Sequence, residues 1–452
     1  DFDFFELLDS VTIARSRKHI ERYYDLEEVG KFPKRNKPTS VRCGLTDLSE
    51  AISYNEIYKK LSALNLSVYT PTNYILASKL EQYEALYGTD MGHTRFTQSD
   101  RESGVLVLMR TNLLKRLESS VYSFRLTLQR ILDQIVKTIG AIEQLGSGRI
   151  VEVGALNTDD FDLDDQNIDL VTVGKNVQIN VADTDYITWL KDLQHDQRIL
   201  TELVRNMELV TPEHDKKLKR LIDEIRQKLE SPLNPGNKKV IVFSAFADTV
   251  EYLYMHLSPA FLATHGRHSA MVTGSSGSKT TVKKLPSDIH TVLTCFSPRS
   301  KDKHLIMPDQ VAEIDLLIAT DCISEGQNLQ DCDFLVNYDI HWNPVRIIQR
   351  FGRIDRIGST NEVIQLVNFW PDLDLDDYIN LKARVETRMK ISVMTATGDD
   401  NPISDDKGDL QYRKKQLERL QSEVVDLEEI SGGVSIMDLG LSESRMDLVN
   451  YA

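Results

Sequence analysis

The chain has 452 residues, 41% of them hydrophobic and 27% charged, the balance of an ordinary globular protein with length for about three domains. Four cysteines, Cys43, Cys295, Cys322 and Cys332, with no pair at C-x-x-C spacing, exclude a disulfide scaffold and point to a reducing, cytoplasmic compartment. No window approaches the ~18 unbroken apolar residues of a membrane span, and no secretory signal opens the chain. A net charge of -15 taken alone disfavours a nucleic-acid partner.

The charge is unevenly spread. Residues 12–42 carry nine Lys/Arg against four Asp/Glu, residues 103–149 seven against three, and residues 371–452 ten against eighteen. The basic stretch Arg15 to Arg22, Lys34-Arg35 and the pair Lys115-Arg116 are candidates for sequence-independent phosphate contact. The acidic runs 159–165 and 372–377 read as solvated surface. The first residue is Asp1, and the expectation is that the chain is part of something longer.

Residues 1–100 read as mixed and irregular. The stripe Leu117, Val121, Phe124, Leu128, Ile131, Ile135, Ile139 and Ile142 predicts one long helix that ends at Gly146-Ser147-Gly148. Val171 to Val181 alternates like a short strand, and helical pattern returns from Tyr186 to Met207. Thr211-Pro212-Glu213 reads as the start of a further helix, through Leu218 to Leu229. Ser231-Pro232-Leu233-Asn234-Pro235-Gly236-Asn237 is the clearest boundary in the chain. The expected division is therefore 1–100, a helical insertion 101–237, an α/β lobe 238–371 and an acidic helical extension 372–452.

In the lobe, Val240–Phe243, Ala270–Val272, Thr291–Thr294, Ile314–Ala319, Phe334–Tyr338 and Val363–Phe369 read as buried strands, with a helix over 249–257. Continuous apolar strands alternating with helices predict a parallel sheet, whose ligands bind at the carboxyl ends of the strands. Two stretches carry the chemistry. In Gln349-Arg350-Phe351-Gly352-Arg353-Ile354-Asp355-Arg356, a helix begun at Pro344 places Gln349, Arg353 and Arg356 on one face. Gly352 leaves room there for a close approach. Two guanidinium forks on one side suit a polyphosphate, unless they merely pair with Asp355 and its neighbours. In Ile314 to Leu329, a buried strand ends at Thr320 and a polar turn opens into a short helix near Ser324-Glu325-Gly326, whose free backbone N–H groups make an anion site unless Thr320 and Ser324 only satisfy their own helix end.

These blocks, taken in order with Val240 to Phe246 and Asp339-Ile340-His341-Trp342-Asn343-Pro344, resemble the second RecA-like lobe of superfamily-two helicases. More narrowly they are similar to the bacterial branch of the Swi/Snf-like ATPases, which includes the RNA-polymerase recycling factors. The likeness is strong over 238–371, and residues 113–120 resemble the helical region such proteins place between lobes. The resemblance implies an α/β fold with a RecA-like parallel-sheet lobe, a large helical insertion before it and a helical C-terminal extension. It implies arginine fingers at Arg353 and Arg356, with Gln349, Gly326, Glu325 and Gly352 in the nucleotide cleft. Ser244, Thr320, Asn328, Lys115 and Arg116 become candidates for nucleic-acid contact. ATP and Mg2+ are the implied cofactors, and duplex DNA is the implied partner in preference to RNA, with a protein partner for the helical regions or acidic tail.

A helicase also needs G-x-x-x-x-G-K-[ST] and a magnesium-binding acidic motif in its first lobe, and this sequence contains neither. The nearest match, Gly274 to Thr280, has Ser278 in place of the second glycine. The chain is accordingly expected to be inactive alone. Two rival readings are a binding module that never hydrolyses ATP and a phosphotransferase using Lys279 and Thr280. No histidine has a partner at metal-ligand spacing.

Overall fold

The computed structural model describes residues 30–87, 89–91, 94–144, 150–153, 177–274, 277–323, 326–341 and 344–371. All lie in one compact unit, Asp25–Val385. The basic stretch Arg15 to Arg22, the acidic runs 159–165 and 372–377, Gly146 to Gly148, Ser324-Glu325, Trp342-Asn343 and the extension 372–452 fall outside the described residues.

Strands β1 (Lys34–Arg35) and β2 (Thr39–Arg42) come first. They are followed by helix α1 (Tyr54–Ser62), begun by a reciprocal Ser53–Glu56 capping box, and by α2 (Ala77–Tyr87). The short antiparallel pair β3 (Thr89–Met91) and β4 (Thr94–Phe96) leads into α3 (Gln98–Ser119) and α4 (Val121–Glu143). A second pair, β5 (Ile150–Val153) and β6 (Val177–Asn180), precedes α5 (Tyr186–Glu208) and α6 (Lys216–Glu230).

The apolar stripe from Leu117 to Ile142 crosses two helices, not one. The chain breaks at Ser120, whose extended backbone lets its hydroxyl accept from Ser123 N–H (3.1 Å) and start α4. Serine side chains compete for backbone groups in this way, which favours them at helix starts. α4 packs against both α3 and α5, and Phe124, Leu128, Ile131, Trp189 and Leu193 are buried. Trp189 donates its indole N–H to the Ser67 carbonyl (3.2 Å) and stacks on Tyr74 (5.7 Å between centroids).

Two carboxyls of α3 are held above their ordinary value. Burial pushes Glu102 up to about 7 against the pull of hydrogen bonds from Thr72 and Gln98. Burial likewise raises Glu118 to about 8, opposed by Lys217. A carboxyl raised on folding stabilises the fold below its unfolded value, and that contribution is lost as pH rises through the folded value. Unfolding free energy is therefore expected to fall between pH 5 and 8. Glu102→Gln should flatten that fall by about 1–3 kcal/mol. Urea midpoints at several pH values test this, and a mutant profile parallel to wild type contradicts it.

The lobe continues through β7 (Val240–Phe243), α7 (Ala247–His265), β8 (His268–Thr273), β9 (Gly277–Thr280), α8 (Ile289–Phe296) and the single turn α9 (Lys303–Ile306). It closes with β10 (Ile314–Ala319), β11 (Phe334–Asn337), α10 (Pro344–Phe351) and β12 (Val363–Trp370). The sheet order is β1-β12-β11-β7-β10-β8-β9, with β2 also on β12, and every pairing is parallel except β8 with β9. Alternation along the strands sends Val240, Val242, Leu316 and Ile318 to one face, against α6 and α7. Ile241, Phe243, Leu317 and Ala319 go to the other, against α8 and the end of α10. Both faces are covered, so the strands are apolar throughout.

Three expectations change. Thr291–Thr294 is helical, because Asp288 caps α8 by accepting from Thr291 N–H (2.8 Å) and Val292, Leu293 and Phe296 turn onto the sheet. α6 begins at its cap Asp215 and belongs to the lobe core through Leu218, Leu221, Ile225 and Leu229. The loop 231–237 is therefore internal to the lobe. It is fixed to the foot of β11 by a fully buried pair, Lys228 with Asp333 (2.7 Å), and by Asn234 donating to Asp333 (2.7 Å).

Candidate functional site

β7 lies between β10 and β11, so the chain running from β10 to β11 crosses it. The crevice this leaves beyond the strand ends is the expected ligand region of such a sheet. Polar residues gather there. Asp339, just past β11, accepts from Ala245 N–H (2.8 Å), the Ser244 hydroxyl (2.5 Å) and the Ser119 hydroxyl (2.6 Å). Ser119 and Ser120 each share a hydroxyl contact with Thr249 (2.8 and 2.9 Å). The α3–α4 break is thus bonded directly to the strand ends, and the helical insertion is fixed to the lobe at this point.

Arg350 forms the second centre. Its Nε and Nη2 fork onto Asp321 (2.6 and 2.5 Å), Nη1 donates to Asn337 Oδ1 (3.1 Å) and to the Asp339 carbonyl (3.2 Å), and its guanidinium lies over Phe243. It is fully buried and ties the ends of β10 and β11 together. Asp321 and Asp339 both follow a strand end, the signal by which sequence reading could have found them.

α10 starts at Pro344 but stops at Phe351. The following residues form tighter turns, with Arg353 N–H donating to Arg350 O (3.1 Å) and Ile354 N–H to Phe351 O (3.1 Å). Gln349, Arg353 and Arg356 therefore do not share one continuous helix. The space at Gly352 is taken by the chain itself, since a Cβ there would lie 3.3 Å from the Ile348 carbonyl oxygen. Arg353 donates to the carbonyls of Gln349 (3.1 Å) and Gln327 (3.0 Å), and Arg356 to that of Gly352 (3.2 Å). Gln349 accepts from Arg346 (3.2 Å). Asp355 pairs with Arg35 of β1, donor Nε at 2.6 Å, and among the described residues Arg356 has no carboxylate partner. All three candidates at 349, 353 and 356 are partly exposed.

Past β10 the chain makes a 3₁₀ turn, Asp321–Ile323. Gly326 has φ +68°, a left-handed conformation that favours glycine. Thr320 is buried, its N–H donating to Val272 O (3.0 Å) and its hydroxyl to Cys322 Sγ (3.3 Å). The Asn328 amide oxygen is shielded from solvent and has no hydrogen-bond partner among the described residues. Glu325 lies outside the described residues.

Three further nucleic-acid candidates are buried, as Thr320 is. Ser244 is fully buried and its hydroxyl is engaged by Asp339. Arg116 is fully buried, paired with Asp248 (2.7 Å) and packed over the Phe246 ring. Lys115 is also buried. Gly277 to Thr280 is a strand antiparallel to β8, with Lys279 paired to Glu251 (3.5 Å). A phosphate loop must open a helix, so this hairpin removes the phosphotransferase reading. Lys301 was not visible in the motifs, yet it stands beside them: its ammonium donates to Gln327 Oε1 (2.8 Å). Among the described residues no group of three or more His, Cys, Asp or Glu is placed to hold a metal ion, and no helix is long and apolar enough to cross a membrane.

Residues 216–358 match the family described as the helicase conserved C-terminal domain. Over this stretch, about a third of the chain, the sequence is similar to the C-terminal domain of helicases. The chain is 51% identical over 51 residues to the uncharacterized ATP-dependent helicase YqhH of Bacillus subtilis, covering 11% of this chain and 9% of that protein. It is 24% identical over 188 residues to the ATP-dependent RNA helicase DBP8 of Gibberella zeae, covering 37% and 34%. It is 43% identical over 54 residues to the RNA polymerase-associated protein RapA of Pectobacterium atrosepticum, covering 12% and 6%. The chain thus spans at most about a third of the length of these relatives.

Proposed function

We propose that this chain supplies the second RecA-like lobe of an ATP-driven, Swi/Snf-like nucleic-acid translocase, in which Arg353 and Arg356 act as arginine fingers. One observation carries the reading. The acid between these arginines in sequence, Asp355, pairs with Arg35, while Arg356 rests on the Gly352 carbonyl with no carboxylate partner among the described residues, beside a partly exposed surface. Carbonyls orient a guanidinium without cancelling its charge, and that charge suits the equatorial oxygens of a transferring phosphoryl group.

In this scheme ATP lies between two lobes. The other lobe brings the phosphate loop and holds Mg2+, for which this lobe offers no donor set among the described residues. Gln349, Gly326, Glu325 and Gly352 belong to the nucleotide side of the cleft, and Thr320 and Asn328 to the coupling between nucleotide and nucleic acid. The Ser119–Asp339 joint would carry lobe movement into the helical insertion. The 54-residue likeness to an RNA polymerase-associated protein accords with the narrower resemblance read from the motifs, and we place the work in the cytoplasm. We favour duplex DNA as the track over RNA, and a protein partner for the insertion.

The test is ATP hydrolysis by the 452-residue chain alone, and by the chain joined to a lobe bearing G-x-x-x-x-G-K-[ST]. No turnover alone, and turnover stimulated by duplex DNA more than by RNA when joined, is the expected result. DNA-stimulated hydrolysis by the chain alone overturns the two-lobed reading.

A further inference from the structure

We propose that Lys301 is a further phosphate-binding residue, which with Arg353 and Arg356 forms a three-cation cradle for a polyphosphate. The inference rests on the assignment of the two arginines above. Lys301 lies in the loop between α8 and α9, far in sequence from both motifs. Gln327 brings the two regions together, its side-chain oxygen accepting from Lys301 Nζ (2.8 Å) and its carbonyl from Arg353 Nη1 (3.0 Å). The loop is braced from below: Asp331 accepts from the backbone N–H groups of Arg299 (2.6 Å) and Ser300 (3.1 Å) and from the Ser300 hydroxyl. Lys301 is therefore positioned by fixed main chain and does not wave from a free loop.

The electrostatics of Lys301 and Arg356 suit an anion. Among the described residues neither Lys301 nor Arg356 has a carboxylate partner, and the local acid Asp355 belongs to Arg35. Desolvation, followed by the like charge of Arg356, lowers the Lys301 ammonium from its ordinary value. Gathering cations that are partly out of water is unfavourable until an anion joins them. A chain of phosphates matches cations arriving from two elements, because its charge is spread over many oxygens.

The terminal phosphates of a nucleoside triphosphate and the phosphates of a nucleic-acid backbone share this chemistry. Isothermal titration of the full chain at low ionic strength, with inorganic tripolyphosphate and separately with a thymidine oligonucleotide, separates them. Lys301→Ala is expected to weaken tripolyphosphate about tenfold, Lys301→Arg to stay within about threefold of wild type, and Lys279→Ala to have no effect. Circular dichroism confirms that each variant is folded. Wild-type affinity in Lys301→Ala, an equal loss in Lys279→Ala, or no saturable binding by the wild type overturns the proposal. A loss confined to the oligonucleotide overturns the polyphosphate assignment. If Arg353→Ala and Arg356→Ala weaken binding while Lys301→Ala does not, this inference fails and the proposed function stands. If Arg356→Ala is silent and Lys301→Ala is not, the arginine-finger reading fails instead.

Discussion

Arg356→Ala, placed in a protein that joins this lobe to a nucleotide-binding lobe, is expected to lower nucleic-acid-stimulated ATP hydrolysis by about 10³–10⁵-fold, the range an arginine finger contributes. The effect should fall on kcat much more than on the KM for ATP, because the charge it meets develops in the transition state. The fold should hardly change, since Arg356 is partly exposed and its resolved bond is to the Gly352 carbonyl. Surface groups of that kind usually contribute within about 0.5 kcal/mol of stability. Arg356→Lys keeps the charge but loses the planar fork, so only partial recovery is expected. Steady-state hydrolysis with saturating duplex DNA is the measurement. Turnover within tenfold of wild type, from a folded variant, rejects the assignment of Arg356 as a finger.

The sequence was legible where one physical signal dominates. Val240–Phe243, Ile314–Ala319 and Val363–Trp370 are buried on both faces, and an unbroken apolar run reports that directly. The α5 helix was legible because its apolar positions recur with helical spacing. The α3–α4 break was not, because the apolar stripe continues across it and the decisive groups are the hydroxyls of Ser119 and Ser120. α8 was misread because Thr291-Val292-Leu293-Thr294 is rich in β-branched residues; a cap at Asp288 and packing against the sheet override that preference. β1 and β2 are too short and polar to announce themselves, and only their register on β12 defines them.

The site divides in the same way. Gln349, Arg353 and Arg356 were singled out by spacing, yet the helix that justified the spacing ends at Phe351, and turns bring the two arginines to their carbonyl partners. Burial was invisible to a reading of residue type. Arg116 and Ser244 have the chemistry for phosphate contact, but Asp248 and Asp339 hold them inside. Lys301 shows the reverse case: an unremarkable lysine in a loop acquires neighbours only through the tertiary contact with Gln327.

Arg350 sits between the two arginines' motif and the sheet, and the expected result of its loss is structural. Arg350→Ala should destabilise the lobe by about 3–5 kcal/mol, the cost of removing one partner of a buried ion pair. Its side chain is fully buried, and Asp321, with a side chain 18% exposed, would keep a carboxylate facing no cation. Asn337 Oδ1 and the Asp339 carbonyl would each lose a donor as well. Arg350→Lys should recover only part of the loss, because an ammonium cannot fork onto Asp321 while also reaching β11. Replacing both partners, Arg350→Met with Asp321→Leu, should cost less than Arg350→Ala alone, because no unpaired charge remains buried. Urea denaturation of the three variants distinguishes this from a catalytic role: a catalytic arginine would lower turnover and leave the unfolding midpoint in place. A midpoint for Arg350→Ala unchanged from wild type would show that the Arg350–Asp321 clamp does not hold β10 and β11 together.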